Sequence, residues 1–346
     1  MDYRLANCIL RFFTDDKELD SFIQHHCNLE KDSSEKGSPN IYVNFSQKNF
    51  EISKNTVRIA RNIWIGNYSV FISEIEIFPG LKLKIQIDQN TLYVDAFLAK
   101  KDRTLAGRIT SFFRSKNKFE ELKFIVLNYY LILVPFFYYL EHFNGLSLLH
   151  ASAIELNGKG VVLSGLGGVG KSTFSLGTLF LKSSKFISDN LILFDNEKIY
   201  SCPEAIALDN KSIQILDGIK QYLVPRDIKY SHGRVWYHVN PEVIIHETTP
   251  KYLFWLQWGD KNEVIPIEKK TCIKYLLQIN LLAKEVREYS MIAAALNLNF
   301  PQVTPSEKHY EKLDYLLSNV DCNILRFRPG IDIKKAINET IVEIIS

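Results

Sequence analysis

Gly165, Gly170, Lys171 and Ser172 follow one another as Gly, four residues, Gly-Lys-Ser, within SGLGGVGKSTFSL at residues 164–176. That order and spacing suit one task, the cradling of phosphates. Gly165, Gly167, Gly168 and Gly170 permit backbone angles and close approaches that a side chain would block, so successive N–H groups can converge on phosphate oxygens. Leu166 and Val169 complete the loop. Lys171 reaches toward β- and γ-phosphates, the Ser172 hydroxyl suits Mg²⁺, and Thr173 serves the helix start or a secondary phosphate contact. A bound nucleoside triphosphate is the implied chemistry. The loop does not say where the phosphate goes.

Asp189, in FISDNLILF, is the next acidic residue placed to contribute. One helix and a short strand separate it from Lys171, enough chain to return beside the loop. There it would hold Mg²⁺ or accept a proton from an attacking hydroxyl. A turn or cap aspartate at a strand edge accounts for the same residue. His150, in LLHAS, precedes the loop between apolar neighbours, where a hydrogen-bonded core imidazole is an equal reading. Arg234, in YSHGRVWYHV with His232, Gly233, Trp236 and His238, would stabilise charge if that segment closed over phosphates. A plain hairpin explains it too.

These residues need elements to position them. GVVLSG followed by KSTFSLGTLFL reads as strand, loop and helix, the context a phosphate loop requires. Asn157-Gly158 marks a hairpin whose second strand feeds the loop. KFISDNLILFD and KIYSCP read as further strands, YLFWLQWG as a buried strand, and KKTCIKYLLQINLLAKEVREYS and YEKLDYLLSNV as helices. CNILRFRPG reads as a strand, and DIKKAINETIVEII as a closing helix with Asp332 at its N-cap. Residues 1 to about 100 read mainly as strands, with a polar loop over 27–40. A basic stretch over 100–118 has apolar residues at near-helical spacing and reads as a connecting helix with a solvated face. The expected organisation is a β-rich region over 1–120 and a mixed α/β nucleotide-binding domain over 121–346.

LLHASAIELNGKGVVLSGLGGVGKSTFSL with KFISDNLILFD resembles the HPr kinase/phosphorylase family and its smaller relatives, which share a phosphoenolpyruvate-carboxykinase-like core. The resemblance is strong over about 145–200 and weakens toward the carboxyl end. It implies that His150 assists an acidic residue near the γ-phosphate and that Asp189 is the catalytic base beside the metal. The family usually has two adjacent aspartates there; this chain has Asp189-Asn190, which removes a carboxylate. Glu204 and Asp209 lie near where the family supplies another metal contact, and surface placement is the simpler expectation for both.

Composition sets bounds. Hydrophobic residues make up 46% and charged residues 23%, the proportions of a globular protein. With 42 Lys+Arg against 39 Asp+Glu, bulk charge gives no footing for nucleic acid. The five cysteines are scattered without C-x-x-C spacing, so neither a zinc site nor a disulfide framework is expected, and a reducing cytoplasm is the simplest setting. FIVLNYYLILVPFFYYL is short for a membrane span and contains Asn128 and Pro135, so it reads as a buried helix with a proline bend.

The expected function is an ATP- and Mg²⁺-dependent kinase acting on a hydroxyl, with a serine in a peptide or protein as acceptor; a ribosomally made precursor peptide is one such substrate among the shorter relatives. The expected partners include no nucleic acid or membrane, and a homo-oligomer stays open. A kinase for free serine or a sugar, and a catalytically impaired nucleotide-binding module, remain as alternatives.

Overall fold

The computed structural model describes residues 2–26, 30–31, 38–46, 48–52, 54–66, 68–73, 75, 80–98, 125–202, 204–229, 234–300, 309–330, 332 and 333–345. The basic stretch 100–118, most of the polar loop at 27–37, Cys27, His232 and Gly233 lie outside the described residues, as does the expected division near 120. The protein is mixed α/β, with several sheets and helices. It divides into two compact units: Met1–Gly145 with Lys229–Ser231 and Glu288–Pro305, and Leu146–Ile228 with His232–Arg287 and Ser306–Ser346.

Among the described residues, the first unit carries nine strands: β1 (Asp2–Leu5), β2 (Cys8–Thr14), β3 (Glu30–Lys31), β4 (Ile41–Ser46), β5 (Val57–Ala60), β6 (Ile63–Gly66), β7 (Ser69–Ile72), β8 (Leu81–Asp88) and β9 (Thr91–Leu98). They form one sheet in the order β3-β1-β2-β4-β9-β8-β7-β6-β5. Alternation decides the buried face. In β8, Leu81, Leu83, Ile85 and Ile87 are buried while Lys82, Lys84 and Gln86 point the other way. Among the described residues of this mainly stranded region, Lys17–His26 forms a helix, α1.

The apolar segment ahead of residue 145 forms a π-helical turn, Tyr129–Leu133, running into α2 (Val134–Phe143), with Pro135 in its first turn. Proline donates no N–H, and the widened turn immediately before it is where the ladder adapts. Helix α2 packs on β2, β4 and β9 of the same unit. Among the described residues, no helix is long and apolar enough to cross a membrane.

The second unit holds the strands β10 (Ser147–Leu149), β11 (Ser152–Leu156), β12 (Lys159–Ser164), β13 (Ser184–Ser188), β14 (Ile192–Phe194), β15 (Ile199–Ser201), β16 (Ile206–Leu208), β17 (Leu223–Lys229), β18 (Val235–Val239), β19 (Glu247–Thr248), β20 (Pro250–Trp258), β21 (Glu263–Pro266) and β22 (Asp321–Phe327). Its main sheet runs β13-β11-β12-β20-β22-β21, with β12, β20 and β22 mutually parallel. Asn157 and Gly158, both at positive φ, close the two-residue β11–β12 hairpin.

Central parallel strands are apolar on both faces because both are covered. Val161 and Leu163 pack toward Phe174 and Leu176 of α3 (Lys171–Gly177) and toward α8 (Ile333–Ile337), while Val162 faces Cys272, Ile273 and Leu276 of α5 (Lys269–Leu282). Smaller sheets flank this one, β10-β14-β15-β19 and β16-β18-β17, and α4 (Asn210–Ile215) follows β16. The long helix expected over 269–290 is instead two. Ala283 takes extended angles, φ −67° and ψ 120°, so α5 ends and α6 (Lys284–Asn299) begins anew. Helix α7 (His309–Leu316) precedes β22, and Asp332 caps α8 by accepting from the Lys334 and Lys335 N–H groups. Cys8, Cys202, Cys272 and Cys322 are buried, and the Cys322 thiol donates to Val320 O at 3.7 Å.

Candidate functional site

The loop between β12 and α3 is held open by its glycines. Gly165 has φ +145°, and a Cβ there would sit 2.9 Å from the Leu256 carbonyl oxygen of β20. Only glycine fits both the angle and the space. Gly170, at φ +109°, occupies the position before the first residue of α3. Leu166, Gly167 and Gly168 are exposed, Val169, Gly170 and Thr173 half-buried.

Lys171 is buried, and its Nζ donates to the loop's own carbonyls, Gly165 O at 2.8 Å and Leu166 O at 3.3 Å. Burial lowers its pKa, with the charge of Asp189 working the other way. The ammonium therefore sits inside the loop, held by acceptors that phosphate oxygens can replace.

Sheet register brings Asp189 to this lysine. In the β11–β13 pair Ala153 lies opposite Ser188, so Ser152 and Asp189 are the next residues along, and Ser152 in turn lies opposite Leu163 of β12. Asp189 accepts from both sides. Ser172 Oγ donates to Oδ2 at 2.6 Å, and Ser152 Oγ donates a short bond to Oδ1. The loop serine and the strand-end carboxylate thus meet, as the spacing anticipates. Ser152 was not anticipated, and nothing in its local sequence marks it.

Asn190 follows at φ +68°, a left-handed angle that asparagine tolerates. Its Nδ2 donates to Glu204 Oε2 at 3.2 Å. Glu204 is half-buried within this cluster rather than placed on the surface as expected. Burial pushes its pKa up to about 7, and the Asn190 bond opposes that shift. Asp209 is exposed and caps α4 by accepting from Ser212 N–H at 2.7 Å, a structural role that agrees with its expected surface placement.

His150 lies between β10 and β11 and is pinned by its main chain: its N–H donates to Asn280 Oδ1 at 2.7 Å, and its carbonyl accepts from Ser164 Oγ at 3.3 Å. Asn280, buried on α5, also donates to Leu148 O at 2.9 Å. The imidazole pKa falls to about 4 through burial first and the Lys171 charge second, a hydrogen bond with the Asn190 backbone opposing. The ring is therefore neutral at pH 7, and its buried Nδ1 has no partner among the described residues. Its ring contact is with Asn190 rather than with the Asp189 carboxylate. Arg234 is exposed at the start of β18, and its charge is felt by Asp209. No described contact joins it to the loop.

Among the described residues, no group of three or more His, Cys, Asp or Glu side chains could hold a metal ion by itself. Ser172 and Asp189 offer oxygen only, the donor chemistry Mg²⁺ takes, and Mg²⁺ is commonly held by one or two carboxylates with phosphates and waters completing its shell. The pair fits such an ion. A separate hollow of about 570 Å³ lies in the first unit, lined by residues including Phe12, Phe13, Asn44 and Lys48. It contains none of the groups described above.

No family model and no curated protein matches the chain. Among solved structures, it is similar to the HPr(Ser) kinase/phosphatase from Coxiella burnetii at a TM-score of 0.28 and 10% identity, over 57% of this chain and 90% of that one. A likeness at that score supports nothing about activity, which has to be argued from the site itself.

Proposed function

We propose that the protein is an ATP- and Mg²⁺-dependent kinase that transfers the γ-phosphate to a hydroxyl, with a serine of a peptide or protein as the acceptor. One observation carries the reading: the carboxylate of Asp189 is bonded to the hydroxyl of the loop serine, Ser172, within electrostatic reach of buried Lys171. A glycine-rich turn of purely structural use has no need of a buried cation and a facing carboxylate. The assignment of a peptide or protein serine rests on the resemblance of residues 145–200 to the HPr kinase/phosphorylase family.

Catalysis would be positioning and charge neutralisation. The loop N–H groups and Lys171 hold the phosphates, the ammonium exchanging the Gly165 and Leu166 carbonyls for phosphate oxygens. Ser172 and Asp189 would hold Mg²⁺, which supplies neutralisation of the phosphate charge when bound. Asp189 takes the acceptor's proton as the acceptor oxygen bonds to the γ-phosphorus and the bond to the leaving ADP oxygen breaks. Neutral His150, tied to the Asn190 backbone, holds the Asp189-Asn190 turn in place. The Asp-Asn pair, one carboxylate where the family usually has two, favours a second reading: a nucleotide-gated module that binds without transfer.

Transfer from [γ-³²P]ATP across peptide and metabolite pools tests both. Label on serine-containing peptides, lost in Asp189→Asn, supports the proposal. Label confined to free serine or a sugar moves the acceptor to small molecules. ATP binding without transfer to any acceptor, unchanged by Asp189→Asn, sinks the kinase reading.

A further inference from the structure

Strands β12, β20 and β22 are parallel, so their carboxyl ends leave the sheet along one edge. Ligands of open α/β sheets bind along such an edge. The phosphate loop leaves from β12, and the neighbouring β20 ends there in Trp258. Its indole is 61% exposed, unusual for the largest apolar side chain. Yet it does not swing freely, because Nε1–H donates to the carbonyl of Val169, inside the loop, at 3.1 Å. The polar edge of the ring is thus tied to the loop, and much of its apolar surface is open to solvent. Gly259 follows, its N–H bonded to Phe327 O at 2.9 Å, which fixes the main chain carrying the indole. Leu166, 58% exposed, adds apolar surface on the same loop.

We infer that Trp258 is the stacking platform for the base of the nucleotide whose phosphates the loop holds. This rests on the phosphate-loop reading and adds to it the place of the base. A nucleotide anchored by its phosphates on 165–172 carries its base to one side of the loop, where an apolar face is needed, and the indole is fastened to that loop. Stacking on an aromatic face is available to every base. Trp258 therefore binds ATP and GTP alike and does not select between them.

Calorimetric titration of the full chain with ATP, GTP and inorganic tripolyphosphate, all with Mg²⁺, tests the assignment. Trp258→Ala should weaken ATP and GTP in parallel, by roughly 5- to 150-fold, the range base–aromatic stacking supplies. Tripolyphosphate, which has no base, should bind as in the unaltered chain. Trp258→Phe, which keeps a ring but loses the bond to Val169, should hold ATP within about threefold. If Trp258→Ala does not fold, Trp258→Leu replaces it.

Unchanged ATP affinity overturns the platform. Equal losses for ATP and tripolyphosphate overturn it too, because the indole then only props the loop. So does a change of oligomeric state in light scattering with nucleotide affinity intact, which makes the exposed face a contact between copies. Failure of the unaltered chain to bind tripolyphosphate or ATP at all refutes the phosphate loop and the platform together.

Discussion

Ser172 Oγ donates to Asp189 Oδ2 at 2.6 Å, joining the first turn of α3 to the end of β13. With the short bond from Ser152, both carboxylate oxygens are occupied by hydroxyl donors. A carboxylate so held is oriented before any ligand arrives.

Replacement of Asp189 by Asn should lower phosphoryl transfer by ~10²–10⁴-fold, the usual worth of a positioned base. Nucleotide binding, measured separately, should change far less. Ser152→Ala removes one of the two bonds that aim the carboxylate and should reduce kcat while leaving KM for ATP near its original value. Steady-state kinetics on both variants checks this; a pure KM effect in either would contradict the roles given.

Lys171→Met should abolish nucleotide binding, and it should also free His150. The lysine charge is the second cause of the low imidazole pKa, after burial, so the pKa should rise from about 4 toward its ordinary value without reaching it. Titration followed by imidazole NMR reads this directly. His309, half-buried at the start of α7, is likewise lowered to about 4 by desolvation first and Lys312 second. Unfolded, both rings bind protons near pH 6.5, whereas folded they do not until about 4. Stability contributed by the neutral rings is therefore present above about pH 6.5 and lost as pH falls toward 4, at up to about 1.4 kcal/mol per pH unit for each group. Denaturant melts across that window should show the loss, and His150→Gln should flatten it.

Asn190→Asp would set a second carboxylate against Glu204, whose Oε2 now accepts from Asn190 Nδ2 at 3.2 Å. Glu204 already titrates at about 7 through burial, above its unfolded value, so it is a cost to the fold that grows as pH rises from about 4.5 to 7. The added charge should steepen that loss, and Mg²⁺ should restore stability by binding between carboxylates. Melting temperatures at pH 6 and 8, with and without Mg²⁺, check the sign. Indifference of the variant to both pH and Mg²⁺ would remove Asn190 and Glu204 from the site.

Asn280→Leu leaves the Leu148 carbonyl and the His150 N–H without their buried partner. The cost should be roughly 2–4 kcal/mol from two unsatisfied groups. Because those two bonds anchor the strand end that carries His150, transfer should fall in the folded variant as well. Chemical denaturation and a transfer assay on the same preparation read the two effects.

The features legible in the sequence are those settled within a few residues. The glycines of the loop, the Asn157-Gly158 turn and the Asp332 cap are local demands of backbone angle or hydrogen bonding, and each is met where the residue type requires it. The strand–loop–helix around Lys171 follows from its apolar pattern and glycines. The break at Ala283 was not legible, because the apolar pattern runs through it, while the chain takes extended angles there and passes from the second unit to the first within α6, at Glu288. Nor was the partnership of Ser152 with Asp189, of Asn190 with Glu204, or of Asn280 with His150. These pairs depend on the order β13-β11-β12, on the connection that returns from β15, and on the helix whose Asn280 reaches the main chain at the end of β10. By itself the sequence determined which residues could hold a phosphate. Only the tertiary structure decided which carboxylate, amide and imidazole stand around it, because sheet order and register join residues that no local pattern relates.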